Sequence, residues 1–120
     1  MATIKSFSDL EQSRKLAEIL PLESADMSWV SNGLGKPFAR TIPIKGDPEE
    51  LCACWSLAAL LGVLPILDNR SPIIPKTFDG KYRVTYHSTA YEKAILTSDY
   101  DNPVDACVTM IERLQELKML

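Results

Sequence analysis

The sequence predicts an α+β domain, and three observations carry that expectation. Two segments, Asp47-Pro48-Glu49-Glu50 and Asn102-Pro103-Val104-Asp105, have the residue order of a capped helix start. Each puts a capping side chain before a proline at the first helical position and an acid at the third. Between them, Ile73 to His87 reads as a β-hairpin about Asp79-Gly80, a pair with the composition of a two-residue type I′ turn. No strand–helix–strand repeat is present, so the expectation is a small antiparallel sheet that includes the hairpin, packed by about three helices on one face. At 120 residues the chain reads as a single domain, 1–120, long enough for a continuous core.

In chain order, Ser8-Asp9-Leu10-Glu11 is a capping-box pattern with Ser8 as the cap and Glu11 reaching back. Leu10, Leu16, Ala17, Ile19 and Leu20 give that helix an apolar face, Glu11, Arg14, Lys15 and Glu18 face water, and Pro21 ends it. A short strand is expected near Met27–Val30, followed by a loop through Asn32-Gly33-Leu34-Gly35. Phe38 to Ile44 reads as a second strand, which Pro43 confines to an edge or an end. Leu51 to Pro65 is the most apolar stretch and holds no charged residue. Its side chains point in nearly every helical direction, the mark of a helix buried on several sides. A central buried helix over 48–64 is therefore expected, with Asp47 as its cap and an irregular first turn before Trp55.

For the hairpin, a turn at Asp79-Gly80 sets Thr77 against Tyr82, Pro75 against Val84 and Ile73 against Tyr86 on the core side. Lys76, Phe78, Lys81, Arg83 and Thr85 then share the outer face. Lys76 falls opposite Arg83, an unfavourable like-charge pair unless an acid lies nearby. Ala94 to Thr97 is expected to add a strand. The last helix runs from Pro103 to about Lys118, with Val104, Cys107, Val108, Ile111 and Leu114 as its buried stripe and Met110 and Leu117 widening it.

The net charge of -3 and a pI near 5.1 argue against a general nucleic-acid binder but leave room for a local basic patch. Three cysteines, two of them in the apolar stretch, fit reduced, buried thiols better than a disulfide framework. The first residues lack the apolar run of a secretory signal. The longest apolar run is shorter than the roughly 20 residues a membrane span requires. A cytoplasmic protein with no membrane contact is expected.

Three blocks, LPLESADM at 20–27, CWSLAALLGVLP at 54–65 and DNPVDACVTMIERLQEL at 101–117, resemble a group of short, functionally uncharacterised proteins from gut Bacteroides-type bacteria and their phages or mobile elements. The resemblance implies an accessory or mobile-element role. It implies no reaction and carries over no functional residue.

Each candidate for chemistry has a structural alternative that the residues favour. Cys52 and Cys54, with Cys107 and His87, could supply four metal ligands. Two residues apart on a helix, however, the first pair would point about 200° apart. A Cys–His nucleophilic pair needs an electropositive, accessible thiol, whereas these thiols sit among Leu, Ala and Val. Asp99, Asp101, Asn102 and Asp105 lack the glycine and glutamate of a calcium loop and suit a helix N-terminus. Glu23 and Asp26 fit bonds to loop amides or to an arginine such as Arg40 better than acid–base catalysis.

Lys76, Lys81, Arg83 and Lys93, with Phe78, make a basic, partly aromatic hairpin face, a combination that single-strand nucleic-acid binders use. Trp55 reads as core. Trp29, between a polar segment and a glycine loop, suits either the core or a partner surface.

The functional expectation is a non-enzymatic interaction or accessory protein with a protein partner, bound through Trp29, Lys76, Phe78, Lys81 and Arg83. The alternative is a small nucleic-acid-associated protein using the hairpin face. A weaker alternative is a small enzyme with an acidic or histidine-containing site. No cofactor and no metal are expected.

Overall fold

The computed structural model describes residues 5–31, 36–41, 50–66, 72–77, 79–86, 95–96 and 99–120. Their architecture is α+β. Helix α1 (Leu10–Ile19) is followed by a 3-10 turn at Leu22–Ser24 and strands β1 (Met27–Val30), β2 (Phe38–Arg40) and β3 (Glu50–Cys54). Helix α2 (Leu57–Val63), strands β4 (Thr85–Tyr86) and β5 (Ile95–Leu96), and helix α3 (Pro103–Glu116) complete the order.

The cap of α1 is Asp9, not Ser8. The Asp9 carboxylate accepts from the Gln12 amide at 2.7 Å, and the Gln12 side-chain carbonyl accepts from the Asp9 amide at 3.0 Å, closing a capping box. Ser8 is withdrawn from that role because its hydroxyl accepts from the buried Trp55 amide at 3.1 Å. The chain ahead of α1 pairs antiparallel with the residues after β3, through Ser8 N–H to Trp55 C=O at 2.9 Å and Leu57 N–H to Ser6 C=O at 3.0 Å.

β1 lies between β2 and β3, antiparallel to both. Trp29 faces Ala39 on one side and Cys52 on the other. The β1–β3 register slips by one between Trp29 and Val30, so Leu51 bulges without a partner on β1 and is exposed.

The helix expected over 48–64 is the main correction. Among the described residues of that span, Glu50–Cys54 is strand and Leu57–Val63 is helix. Asp47 and Pro48, its expected start, lie outside the described residues, and Ser56 caps the helix instead, its hydroxyl accepting from the Ala59 amide at 3.2 Å. An uninterrupted apolar run satisfies a strand buried on both faces as well as a buried helix. Pairing with β1 decides between them.

The hairpin register also differs by one residue. Lys76 bridges Tyr82, Ile73 bridges Thr85, and Thr77 N–H bonds Lys81 C=O at 2.7 Å. Gly80, at φ +82°, donates to Thr77 C=O at 3.0 Å. This is the turn with a left-handed glycine that closes a longer hairpin loop, not a two-residue turn. Because side chains alternate, the slip carries Lys76 to the face of Tyr82 and away from Arg83. The expected Lys76–Arg83 opposition does not form. The hairpin continues into the β4–β5 pair, separate from the three-stranded sheet.

α3 begins as expected: Asn102 caps it, its side-chain oxygen accepting from the Asp105 amide at 2.9 Å, with Pro103 at the first position. Val104, Cys107, Val108, Met110, Ile111 and Leu114 are buried. Leu117, expected to widen that stripe, is 47% exposed, because the helix ends at Glu116. The core gathers around Trp55, Leu16, Leu60 and this stripe, with Val84 and Tyr86 closing one side.

Candidate functional site

The C-terminal ends of α1, α2 and α3 border an open groove of 390 Å³ lined by Ile19, Leu20, Pro21, Val63, Pro65 and Leu120. Ser24 and Gln115 are its polar members. The Ser24 hydroxyl is engaged by the indole N–H of Trp55 at 3.0 Å. Next to the lining along the chain stand Leu22 (51% exposed), Ile66 (69%) and Leu117 (47%), and Leu120 itself is 43% exposed. The groove itself has a predominantly apolar lining. It exists because α1 and α2 both stop at a Leu-Pro step, Leu20-Pro21 and Leu64-Pro65. Proline cannot continue the helical bonding, so each chain turns away at that level.

Of the residues singled out from the sequence as a partner surface, Trp29, Lys76, Lys81 and Arg83 are not in the groove lining. Trp29 is half-buried on β1. Its indole N–H donates to Ser8 C=O at 3.1 Å, and its ring meets Phe7 edge-on with centroids 5.9 Å apart. Lys76 sits with its ammonium 5.9 Å from the Tyr82 ring centroid, within cation–π range. Lys81 is paired with Asp101, which raises its pKa. Arg83 contacts Asp99 through Nε–Oδ1 at 2.8 Å and Nη2–Oδ2 at 3.2 Å. The acids before α3 therefore neutralise two of the hairpin's cations. Phe78, Lys93 and His87 lie outside the described residues. The groove residues were missed because nothing in a linear sequence says that two Leu-Pro stops meet in space.

The other candidate chemistry resolves into structural work. Cys52 and Cys54 share one face of β3, because strand side chains alternate, and do not point apart as on a helix. Burial pushes the Cys54 thiol up to about 11 and the Cys107 thiol up to about 12, so both are protonated near neutrality. Cys54, Ser8 and Ser13 form a fully buried polar cluster. The two hydroxyls are 2.7 Å apart, and the Cys54 thiol points to Ser8 C=O at 3.5 Å. Asp26 receives the Ser56 amide at 2.9 Å and also its hydroxyl, reinforcing the cap of α2. Asp105 joins the starts of α1 and α3, accepting from Lys5 at 2.8 Å and from the Gln12 side-chain amide at 2.7 Å.

Among the described residues no three His, Cys, Asp or Glu side chains converge to hold a metal ion, and no helix is long and apolar enough to cross a membrane. Fold and groove together define a small α+β domain with an open apolar end. No known family, curated protein or solved structure matches the chain.

Proposed function

We propose that this chain is a non-enzymatic interaction domain that receives a protein partner in the groove where α1, α2 and α3 finish. One observation carries the reading: a 390 Å³ concavity lined mainly by apolar side chains, among them Leu120, which is 43% exposed. A mostly apolar concavity with a few polar groups has the geometry of a binding site. The polar contacts at Asp26, Asp105 and Arg83 serve capping and the joining of elements. The accessory role implied by the resemblance of the three sequence blocks points the same way. On this reading the groove replaces Trp29 and the hairpin as the principal contact surface.

The test is site-specific photo-crosslinking in the native host, with the crosslinker placed at Leu120 or, for comparison, at Lys76 on the hairpin. A discrete protein adduct from position 120 and none from position 76 is the expected result. Adducts from position 76 alone would move the interface to the hairpin. If those adducts proved nuclease-sensitive, they would favour a nucleic-acid role. The absence of any adduct from position 120 would overturn the proposal.

A further inference from the structure

The strand that stands where a helix was expected changes what Cys52 and Cys54 can do together. We propose that these two thiols, with the thioether of Met27 from the neighbouring strand, bind one soft monovalent metal ion, of the chemical class of Cu(I) and Ag(I). The groove plays no part in this site.

On a helix the two cysteines would point about 200° apart. On β3 they stand two residues apart on the same face. Met27 of β1 pairs with Cys54 directly across the sheet, and Trp29 pairs with Cys52. One face of one strand pair therefore carries two thiols and a thioether. Directly opposed side chains have Cβ atoms about 5 Å apart. Residues two apart along a strand are about 6.7 Å apart, near the upper end of the Cα separations that a disulfide spans. A shared metal closes that span more easily. With metal–sulfur bonds of about 2.3 Å, as for zinc, the two sulfurs lie up to about 4.6 Å apart. Thiolate and thioether donors select soft ions, and monovalent ions of that class are satisfied by two or three ligands. Structural zinc takes four, and among the described residues no His, Asp or Glu joins the two cysteines to form such a set.

The metal requires both thiols as thiolates. Burial pushes Cys54 up to about 11, with Cys52 and Asp26 adding to it, while the Ser8 and Ser13 hydroxyls act the other way. Ser8 Oγ lies 3.9 Å from the Cys54 sulfur. Hydroxyls placed there favour a metal-bound thiolate as outer-shell partners. Burial also raises Cys52, which the Arg14 guanidinium lowers and Glu50 raises. Two thiolates around a monovalent ion leave one net negative charge, which Arg14 offsets and Glu50 opposes. Cys52 is half-buried and gives the ion its entry, whereas Cys54 and Met27 are buried. Binding exchanges two thiol protons, released to solvent, for one ion, with no change of oxidation state. Affinity therefore rises with pH.

The experiment is an anaerobic titration of the fully reduced chain with Cu(I) held by bicinchoninate, whose colour reports the ion it keeps. One Cu(I) per chain should leave the dye, with two protons released per ion in weakly buffered solution. Cys107, buried in the stripe of α3, is the control, and Cys107→Ser should leave stoichiometry and affinity unchanged. Cys52→Ser and Cys54→Ala should each lower the affinity at least about 100-fold. Met27→Leu, a swap that nearly conserves volume, should lower it about tenfold. Circular dichroism shows which variants are folded. X-ray absorption at the copper edge of the unsubstituted chain counts sulfur ligands without any variant, and two or three are expected.

Retention of all the Cu(I) by the dye would overturn the proposal. So would binding that survives Cys52→Ser, binding that Cys107→Ser removes, or several ions taken up as the native circular dichroism is lost. Nitrogen or oxygen ligands at the copper edge in place of the sulfurs would overturn it too, and that result stands even if Cys54→Ala fails to fold.

Discussion

Replacing Ser8 with alanine tests the polar cluster that joins α1 to β3. Ser8 is fully buried, and its hydroxyl accepts from the Trp55 amide at 3.1 Å while sharing a hydrogen bond with Ser13 at 2.7 Å. In the Ser8→Ala variant the Trp55 N–H stays buried without its acceptor, at a cost of about 1–3 kcal/mol, and the Ser13 bond is lost, at a cost of about 1 kcal/mol. The expected destabilisation is about 2–4 kcal/mol. At about 4 °C per kcal/mol for a chain of this size, the melting temperature should fall by about 8–16 °C. Asp9→Ala removes the true cap and should cost about 1 kcal/mol. Its ion pair with Lys5, at 3.0 Å on a half-exposed carboxylate, adds little.

Urea unfolding followed by tryptophan fluorescence and far-UV circular dichroism gives both values. If Ser8 were only a helix cap, the order of the two variants would reverse. A Ser8→Ala loss smaller than that of Asp9→Ala would refute the reasoning. In addition, Ser8→Ala and Ser13→Ala should be less than additive by about 1 kcal/mol, since either change removes their shared bond.

Gly80→Ala should cost about 1–2 kcal/mol, because φ is +82° there and a Cβ would meet nothing within 4 Å, so the penalty is backbone alone. An unchanged urea midpoint would rule out the left-handed turn. At Asp105, burial raises the carboxyl pKa, but the Lys5 ammonium and the Gln12 and Asn102 amides outweigh it and hold the group below its usual range. A depressed folded pKa stabilises above the unfolded value, near 3.9, and that contribution is lost as pH falls through the folded value. Asp105→Asn should therefore flatten the acid-side decline in stability, and an unaltered decline would count against the contact. With burial pushing Cys54 to about 11 and Cys107 to about 12, iodoacetamide at pH near 8 should label only half-buried Cys52 in the native protein. All three should react after unfolding. Mass spectrometry showing native Cys107 alkylated as fast as Cys52 would refute the burial.

What the linear sequence determined was local. Asn102-Pro103 starts α3 because a capping side chain, a proline and an acid act on the backbone within one turn, and these needed no distant partner. The stripe Val104, Cys107, Val108, Ile111 and Leu114 was legible for the same reason, since helical spacing puts those residues on one face wherever that face docks. Pro21 and Pro65 marked two helix ends, and the α+β class followed from these parts.

Tertiary structure decided what depended on distant neighbours. Leu51 to Cys54 became strand because β1 offered its edge, and an apolar run carries no period to forbid either state. The cap moved from Ser8 to Asp9 because the Trp55 amide, far along the chain, claimed the Ser8 hydroxyl. The hairpin departs by one residue from its expected register, with Thr77 N–H bonding Lys81 C=O at 2.7 Å, and on its other edge Tyr82 pairs with Tyr100 through two bonds of 2.7 Å each, a partner that turn composition cannot name. The groove is the furthest removed from the sequence. Two Leu-Pro steps separated by forty-odd residues each say only that a helix stops, and packing against α3 brings the stops together around one apolar concavity.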